Sequence, residues 1–193
     1  MQNRPFENIQ EMNQILIQNY NAVVHKNDTV YILGDISHHL PMDRANELIS
    51  RLNGKKILIK GNHDKKDDLE LFEEICDFKT VSLNGIYFEL MYYPLLSWPK
   101  KNSGSIQLHG HIHAHEEYNL QNKADGIRRY DVGVDANNYY PVLVKQIIEF
   151  FENFCHHSKG DVGGQKVVLE LWEKAALATI FGFIDIDGNR RYR

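Results

Sequence analysis

The sequence predicts an α/β fold, and three observations predict it. Short, nearly all-apolar runs alternate with segments of helical periodicity through the first sixty residues. A hairpin signal further along turns the strand pattern antiparallel. The composition, 42% hydrophobic and 25% charged over 193 residues, belongs to a folded domain with a real core and excludes disordered and fibrous classes. A net charge of -4 gives no basic footprint for nucleic acid, and no apolar stretch approaches the roughly 18 residues of a membrane span. Cys76 and Cys155 stand outside any metal-binding spacing, which fits a soluble chain in a reducing, cytoplasmic compartment.

Taken in order, Ile9, Met12, Leu16, Tyr20 and Val23 recur at steps of three and four, so a helix with one buried stripe runs to about His25. Thr29 to Leu33 is a β-branched apolar run, read as a strand buried on both faces and stopped by Gly34-Asp35. Pro41 starts a second helix carrying Met42, Ala45, Leu48, Ile49 and Leu52, which Asn53-Gly54 stops. Lys56 to Ile59 is the next buried strand, ending in Gly61-Asn62-His63-Asp64. Strand, helix, strand predicts a right-handed parallel crossover, and both polar tips then emerge at one sheet edge, where open α/β sheets place their ligands. Lys79 to Leu90 supplies two strands around Asn84-Gly85. Ser105 to Leu108 is a strand ending in His109-Gly110-His111-Ile112-His113, Tyr130 to Val134 is another, and Pro141 opens a helix through about Phe150.

Beyond about Asn153 the style changes. Cys155 to Gly164, with His156 and His157, is a polar, glycine-rich linker, and Lys166 to Phe181 carries a helical pattern with a packing stripe of Leu169, Trp172, Ala176 and Ile180. The expected organisation is a domain over residues 1 to 150, then a linker and helical tail over 151 to 193. Cutting the tail away is expected to leave the domain folded.

Ten histidines are present, most of them in short clusters, so the chemistry is sought there. The three strand-end motifs, Gly34-Asp35, Gly61-Asn62-His63-Asp64 and Gly110-His111-Ile112-His113, supply a carboxylate, an amide and imidazoles. That donor set suits Mn, Fe(II) or Zn. The bland alternative for Asn62-His63-Asp64 is a loop whose Asp64 caps the following turn. His38, His109 and His115 are further available imidazoles, and His109 and His115 read more readily as loop or strand histidines.

These motifs, in this order after buried strands, resemble the metallophosphoesterase family, also called calcineurin-like phosphoesterases. The resemblance covers residues 1 to about 150 and implies a two-sheet sandwich flanked by helices. Asn3-Arg4-Pro5-Phe6, Tyr93 to Trp98 and Gly133-Val134-Asp135-Ala136-Asn137 are similar to its small bacterial and phage members. Residue by residue, the resemblance implies that Asp35 bridges two divalent metals, with Asn62 and His111 on one and His113 on the other. It implies that His63 sits over the phosphate as general acid or charge stabiliser, with Asp64 fixing its tautomer, and that the substrate is a phosphomonoester or phosphodiester.

Two departures follow from the same resemblance. The family's opening Asp-x-His strand is absent, because the chain begins inside what resembles the segment after it. Tyr92, in Met91-Tyr92-Tyr93-Pro94, stands where relatives carry a ligand histidine. Impaired catalysis is therefore expected, and a non-catalytic remnant of the fold is the alternative. The tail, Glu152 to Gly160 and Leu169 to Gly188, resembles a segment of phage terminase large subunits. A DNA-packaging fragment is thus a third reading, although no phosphate-binding glycine loop follows.

Overall fold

The computed structural model describes residues 4–38, 40–64, 71–83, 85–152, 175–178 and 183–184. Helix α1 spans Ile9–Val23, and Asn8 caps it by accepting the Glu11 N–H at 2.8 Å. Strand β1 (Thr29–Leu33) and the two-residue β2 (Ser37–His38) follow, then α2 (Met42–Ser50) and β3 (Lys55–Ile59). Next come β4 (Glu74–Cys76), the hairpin β5 (Phe78–Leu83) and β6 (Ile86–Met91), and β7 (Ile106–His109). Helix α3 (Glu116–Ala124), β8 (Arg129–Asp131), β9 (Val142–Leu143), α4 (Val144–Glu152), β10 (Ala175–Ala178) and β11 (Phe183–Ile184) complete the described elements. Among the described residues no helix is long and apolar enough to cross a membrane.

Two main sheets carry the fold, a five-stranded one in the order β4-β3-β1-β10-β9 and a four-stranded one in the order β5-β6-β7-β8. The core between them joins Leu33, Ile57 and Ile59 of the first to Phe88, Leu90, Ile106 and Leu108 of the second, with Ile147, Ile148 and Phe151 of α4. The other face of the first sheet packs Val30, Ile32 and Leu58 against Ile17 and Tyr20 of α1 and Ala45, Leu48 and Ile49 of α2. Strands β1 and β3 are therefore apolar on both faces, as their continuous runs require. They pair in parallel from Thr29 beside Lys55 to Leu33 beside Ile59, the expected crossover.

Several elements differ from the sequence reading, each for a local reason. The strand expected to reach Val134 stops at Asp131, whose own Oδ1 accepts the Gly133 N–H at 2.7 Å and bends the chain into a 3-10 turn at Val134–Ala136. The helix expected from Pro141 starts at Val144, because Val142 and Leu143 pair with the tail strand and the Leu143 N–H is taken by Gln146 Oε1. Helix α3 carried no apolar signal because the residues it buries are Asn119 and Asn122. The helical pattern over Lys166 to Phe181 lies largely outside the described residues, and its described part, Ala175–Ala178, is strand. β10 runs parallel to β1, Thr29 beside Ala175 through Ile32 beside Ala178, and satisfies a row of β1 backbone groups that would otherwise form an open edge. That pairing overrides the helix propensity of an Ala-Ala-Leu-Ala segment.

Cutting the chain after Asn153 removes β10 and β11 and opens β1 along one side. A melting temperature lower by about 5–10 °C is expected, the shift that a loss of about 2–3 kcal/mol gives at this size. An unchanged melting temperature would show that β10 contributes nothing to the sheet.

Candidate active site

Because Leu33 and Ile59 are register partners, Gly34-Asp35 and Gly61 to Asp64 leave the first sheet side by side. Asp64 splices the two loops. Its Oδ2 accepts the N–H groups of Asp35 and Gly61, each at 2.8 Å, and its Oδ1 accepts that of Ile36 at 2.9 Å. Burial raises its pKa despite these bonds, which work in the opposite direction. Asp35 reciprocates, its Oδ1 accepting the His63 N–H at 3.0 Å. Glycine is obligatory at Gly61, where a Cβ would lie 2.4 Å from Asp35 Oδ1 and 2.6 Å from its backbone nitrogen. The loop clamp is a role for Asp64 that sequence reasoning did not foresee. Asn62 and His63 are exposed at the tip of the same loop.

The second sheet brings Tyr92, one residue beyond β6, and His111 and His113, just beyond β7. Tyr92 is 1% exposed, and its ring occupies space that a Cβ on Gly34 would enter. Its hydroxyl donates to Asp35 Oδ2. Burial, then that hydrogen bond, push the phenol pKa far up, so it keeps its proton. With that proton committed to Asp35, the phenol oxygen acts as acceptor toward His111 Nδ1, 3.0 Å away. Neutral His111 thus carries its proton on Nδ1 and an electron pair on Nε2, and burial holds its pKa below the usual value. His113 Nδ1 lies 3.0 Å from Asp135 Oδ2 and donates to it, which again leaves Nε2 with the electron pair in the neutral ring. Asp35, His111 and His113 all have positive φ, at 52°, 72° and 49°, a conformation that costs energy and that the surrounding hydrogen bonds enforce.

Asp135, absent from the expected site, is held by Arg4. Nε and Nη2 of Arg4 each donate to one carboxylate oxygen at 2.7 Å. Burial works against the charge, but the hydrogen bonds from His113 and Arg4 prevail and hold the carboxyl at about 2. Asp131 lies deeper, fully buried, and is bonded by backbone groups, Gly133 N–H at 2.7 Å and Ala114 N–H at 3.3 Å. Burial pushes it up to about 7. These contacts link the His113 loop to the Asp135 turn. Their sequence signal was weak, since the residues meet across separations of up to 131 positions.

His109 is no available ligand. Its Nδ1 donates to the Gly110 carbonyl at 2.9 Å, its Nε2 faces the Tyr118 hydroxyl at 3.2 Å, and burial lowers its pKa to about 4. It is a satisfied core histidine. His115 precedes α3 as its N-terminal flanking residue, and His38 closes β2.

The crevice offers one carboxylate and two imidazole Nε2 atoms, with Asn62 exposed on the adjoining loop, residue types that suit a divalent cation. Among the described residues, however, no three His, Cys, Asp or Glu side chains converge as a ready-made metal cage, and one oxygen of Asp35 is engaged by Tyr92. The donor types suit a divalent cation, and the described residues show no assembled two-metal centre.

Comparison with known proteins extends this picture. The family model for calcineurin-like phosphoesterases matches residues 3–181, which takes in most of the tail as well as the sandwich. The chain is 39% identical to the uncharacterized protein MJ1445 of Methanocaldococcus jannaschii over 153 residues, 78% of this chain and 81% of that protein. It is 26% identical over 186 residues to the Gene 66 protein of Mycobacterium phage L5, covering 80% and 87% of the two chains. The crystal structure of the protein of unknown function AQ665 from Aquifex aeolicus superposes with a TM-score of 0.59 at 27% identity, over 72% of this chain and 84% of that one.

The buried Asp131 gives a pH signature. Its folded pKa lies above its unfolded value of 3.8, so between about pH 4 and pH 7 the folded state binds more protons. Its contribution to stability is fully present below pH 4 and is lost as pH rises through about 7. His109, lowered to about 4, has the opposite slope over part of that range, so the comparison must be with a variant. Asp131→Asn is expected to gain stability relative to wild type as pH is raised from 4 to 7, read by melting temperatures in matched buffers. A constant difference across that window would contradict the assignment.

Proposed function

Because the chain belongs to the calcineurin-like phosphoesterase family, a family of metal-dependent phosphoesterases, we propose that its strand-end crevice hydrolyses a phosphomonoester or phosphodiester with impaired efficiency. The observation that carries this reading is the meeting of Asp35, the His63 loop and two Nε2-presenting histidines in one crevice, spliced by the Asp64 clamp. With Tyr92 on one Asp35 oxygen, a single divalent cation, Mn, Fe or Zn, would be held by Asp35, Asn62 and His111, with His113 Nε2 as a further donor. A cation bound there supplies Lewis-acid polarisation of a phosphate oxygen.

The chain's own residues do the rest. Water attacks phosphorus and releases a proton to solvent, the bond from phosphorus to the leaving oxygen breaks, and His63, exposed at the loop tip, delivers its proton to that oxygen and regains one from solvent. Asp64 holds the His63 loop against β1 and so fixes where that imidazole can reach. Tyr92 would limit the reaction, since its hydroxyl donates to an Asp35 oxygen that would otherwise be open to a cation. The reading of this chain as a remnant without activity differs only in degree, and the same assay decides it.

The test is hydrolysis of an aryl phosphodiester and an aryl phosphomonoester with and without millimolar Mn2+. Weak, Mn2+-dependent turnover is expected, and His63→Ala should lower it by about 100-fold or more, the usual worth of a general acid. Strong turnover without added metal, or turnover indifferent to His63→Ala, would overturn the proposal. Tyr92→Phe keeps the buried ring and frees the Asp35 oxygen. It should lower the melting temperature without metal and increase the stabilisation that Mn2+ gives. No added response to Mn2+ would mean that the hydroxyl does not compete for Asp35.

A further inference from the structure

Two stretches, Arg4 to Phe6 and Gly133 to Asn137, lie outside the strand-end motifs, and the fold joins them. Arg4 reaches Asp135 with two parallel N–H bonds of 2.7 Å, and its Nη1 lies 3.4 Å from Met12 Sδ of α1. The side chains of this pair are only 4% and 8% exposed. Taking two charges so deep costs several kcal/mol of hydration, and apolar residues of similar volume usually serve stability as well or better. Anchoring of the N-terminal segment is already supplied nearby by apolar contact, with Phe6 edge-on to Tyr139 at 4.9 Å and α1 packed through Ile9, Met12 and Leu16 onto Val134. The pair therefore calls for a reason beyond attachment.

The oxygen of Asp135 that receives Arg4 Nη2 also receives His113 Nδ1, at 3.0 Å. A carboxylate kept ionised by a bidentate guanidinium only accepts hydrogen bonds, so the imidazole nitrogen facing it must carry the proton. His113 also sits at φ 49°, where the backbone gives the side chain no help from regular structure. The rigid fork of arginine suits this task, because it fixes the plane of the carboxylate and so the direction from which Nδ1 approaches.

Resting on the reading of the crevice as a cation-dependent phosphate-ester site, we propose that Arg4 and Asp135 are positioning residues for His113. The buried pair holds the ring in its Nδ1–H form and so makes Nε2 the atom that donates to a divalent cation. Neither residue touches substrate or cation. The arrangement has the logic of a carboxylate behind a metal-binding histidine, with a guanidinium behind the carboxylate.

The experiment uses the full chain labelled with 15N in its histidines. Two-bond proton–nitrogen spectra recorded without metal report which ring nitrogen of His113 is protonated, and titration with Mn2+ alone reports affinity. In wild type the Nδ1–H ring is expected. Asp135→Asn, whose amide can donate as well as accept, should shift His113 toward the Nε2–H form and weaken Mn2+ binding by about 10–100-fold. Arg4→Lys, which loses the fork, should fall between them. Phe6→Ala loosens the same segment without touching the pair, so it should lower the melting temperature and leave ring and affinity unchanged. A His113 ring that is Nε2–H in wild type, or that ignores Asp135→Asn, or an affinity that tracks melting temperature across all three variants, would overturn the proposal. Wild type with the Nδ1–H ring but no Mn2+ uptake would overturn the cation reading of the crevice and the use assigned to Nε2. The metal-free ring spectra separate that failure from a failure of the pair.

Discussion

Asp35 and Asp64 each accept hydrogen bonds from the backbone of the loop that carries the other, and this exchange sets the geometry on which the crevice depends. Two parallel strands deliver their tips to the same edge, but nothing in strand pairing alone dictates how the loops beyond them turn. Four N–H groups that would otherwise need water find carboxylate partners here, and bonds of this charge-assisted kind are worth about 1.5–3 kcal/mol each. The clamp needs glycine at Gly61, since any side chain would strike Asp35. It also holds Asp35 at a positive φ that an unsupported aspartate would leave.

From that fixed Asp35, the second sheet adds groups whose protonation is settled by burial. The Tyr92 phenol cannot ionise, so it remains a donor to Asp35 and an acceptor for His111. The same hydroxyl therefore prepares one histidine and occupies one carboxylate oxygen. In the proposed reading the first effect favours a cation at His111 Nε2, and the second opposes cation binding at Asp35. Among the described residues no group of three His, Cys, Asp or Glu side chains forms a ready metal cage, so in the proposed reading the opposing effect limits how many cations the crevice can hold.

Much of this was legible in the sequence where a short-range pattern encodes it. The buried runs of β1 and β3, the hairpin of β5 and β6 and the glycine before each polar tip follow from periodicity and turn chemistry, and they led to Asp35, Asn62, His111 and His113. What stayed hidden was encoded at long range. Arg4 and Asp135 are 131 residues apart, and the clamp bonds of Asp64 cross 28 and 29 positions. Helix α3 buries Asn119, which bonds the backbone of Asp131, and Asn122, which accepts from Arg129 Nη2, so its inward face has no apolar stripe to read. His109 belonged to a cluster that suggested metal, yet its strand position turns it into the core against Tyr118. Ala175–Ala178 is strand because β1 offers it a ladder, which no property of four small residues could announce.

The central claim is that Tyr92 holds an oxygen of Asp35 and restricts the crevice to a single cation. Anomalous diffraction from crystals grown in millimolar Mn2+ tests it most directly. One Mn2+ position among Asp35, His111 and His113, with the Tyr92 hydroxyl still bonded to Asp35, is the result this account predicts. Two Mn2+ positions about 3.5–4 Å apart, bridged by Asp35 with Tyr92 turned away, would contradict it.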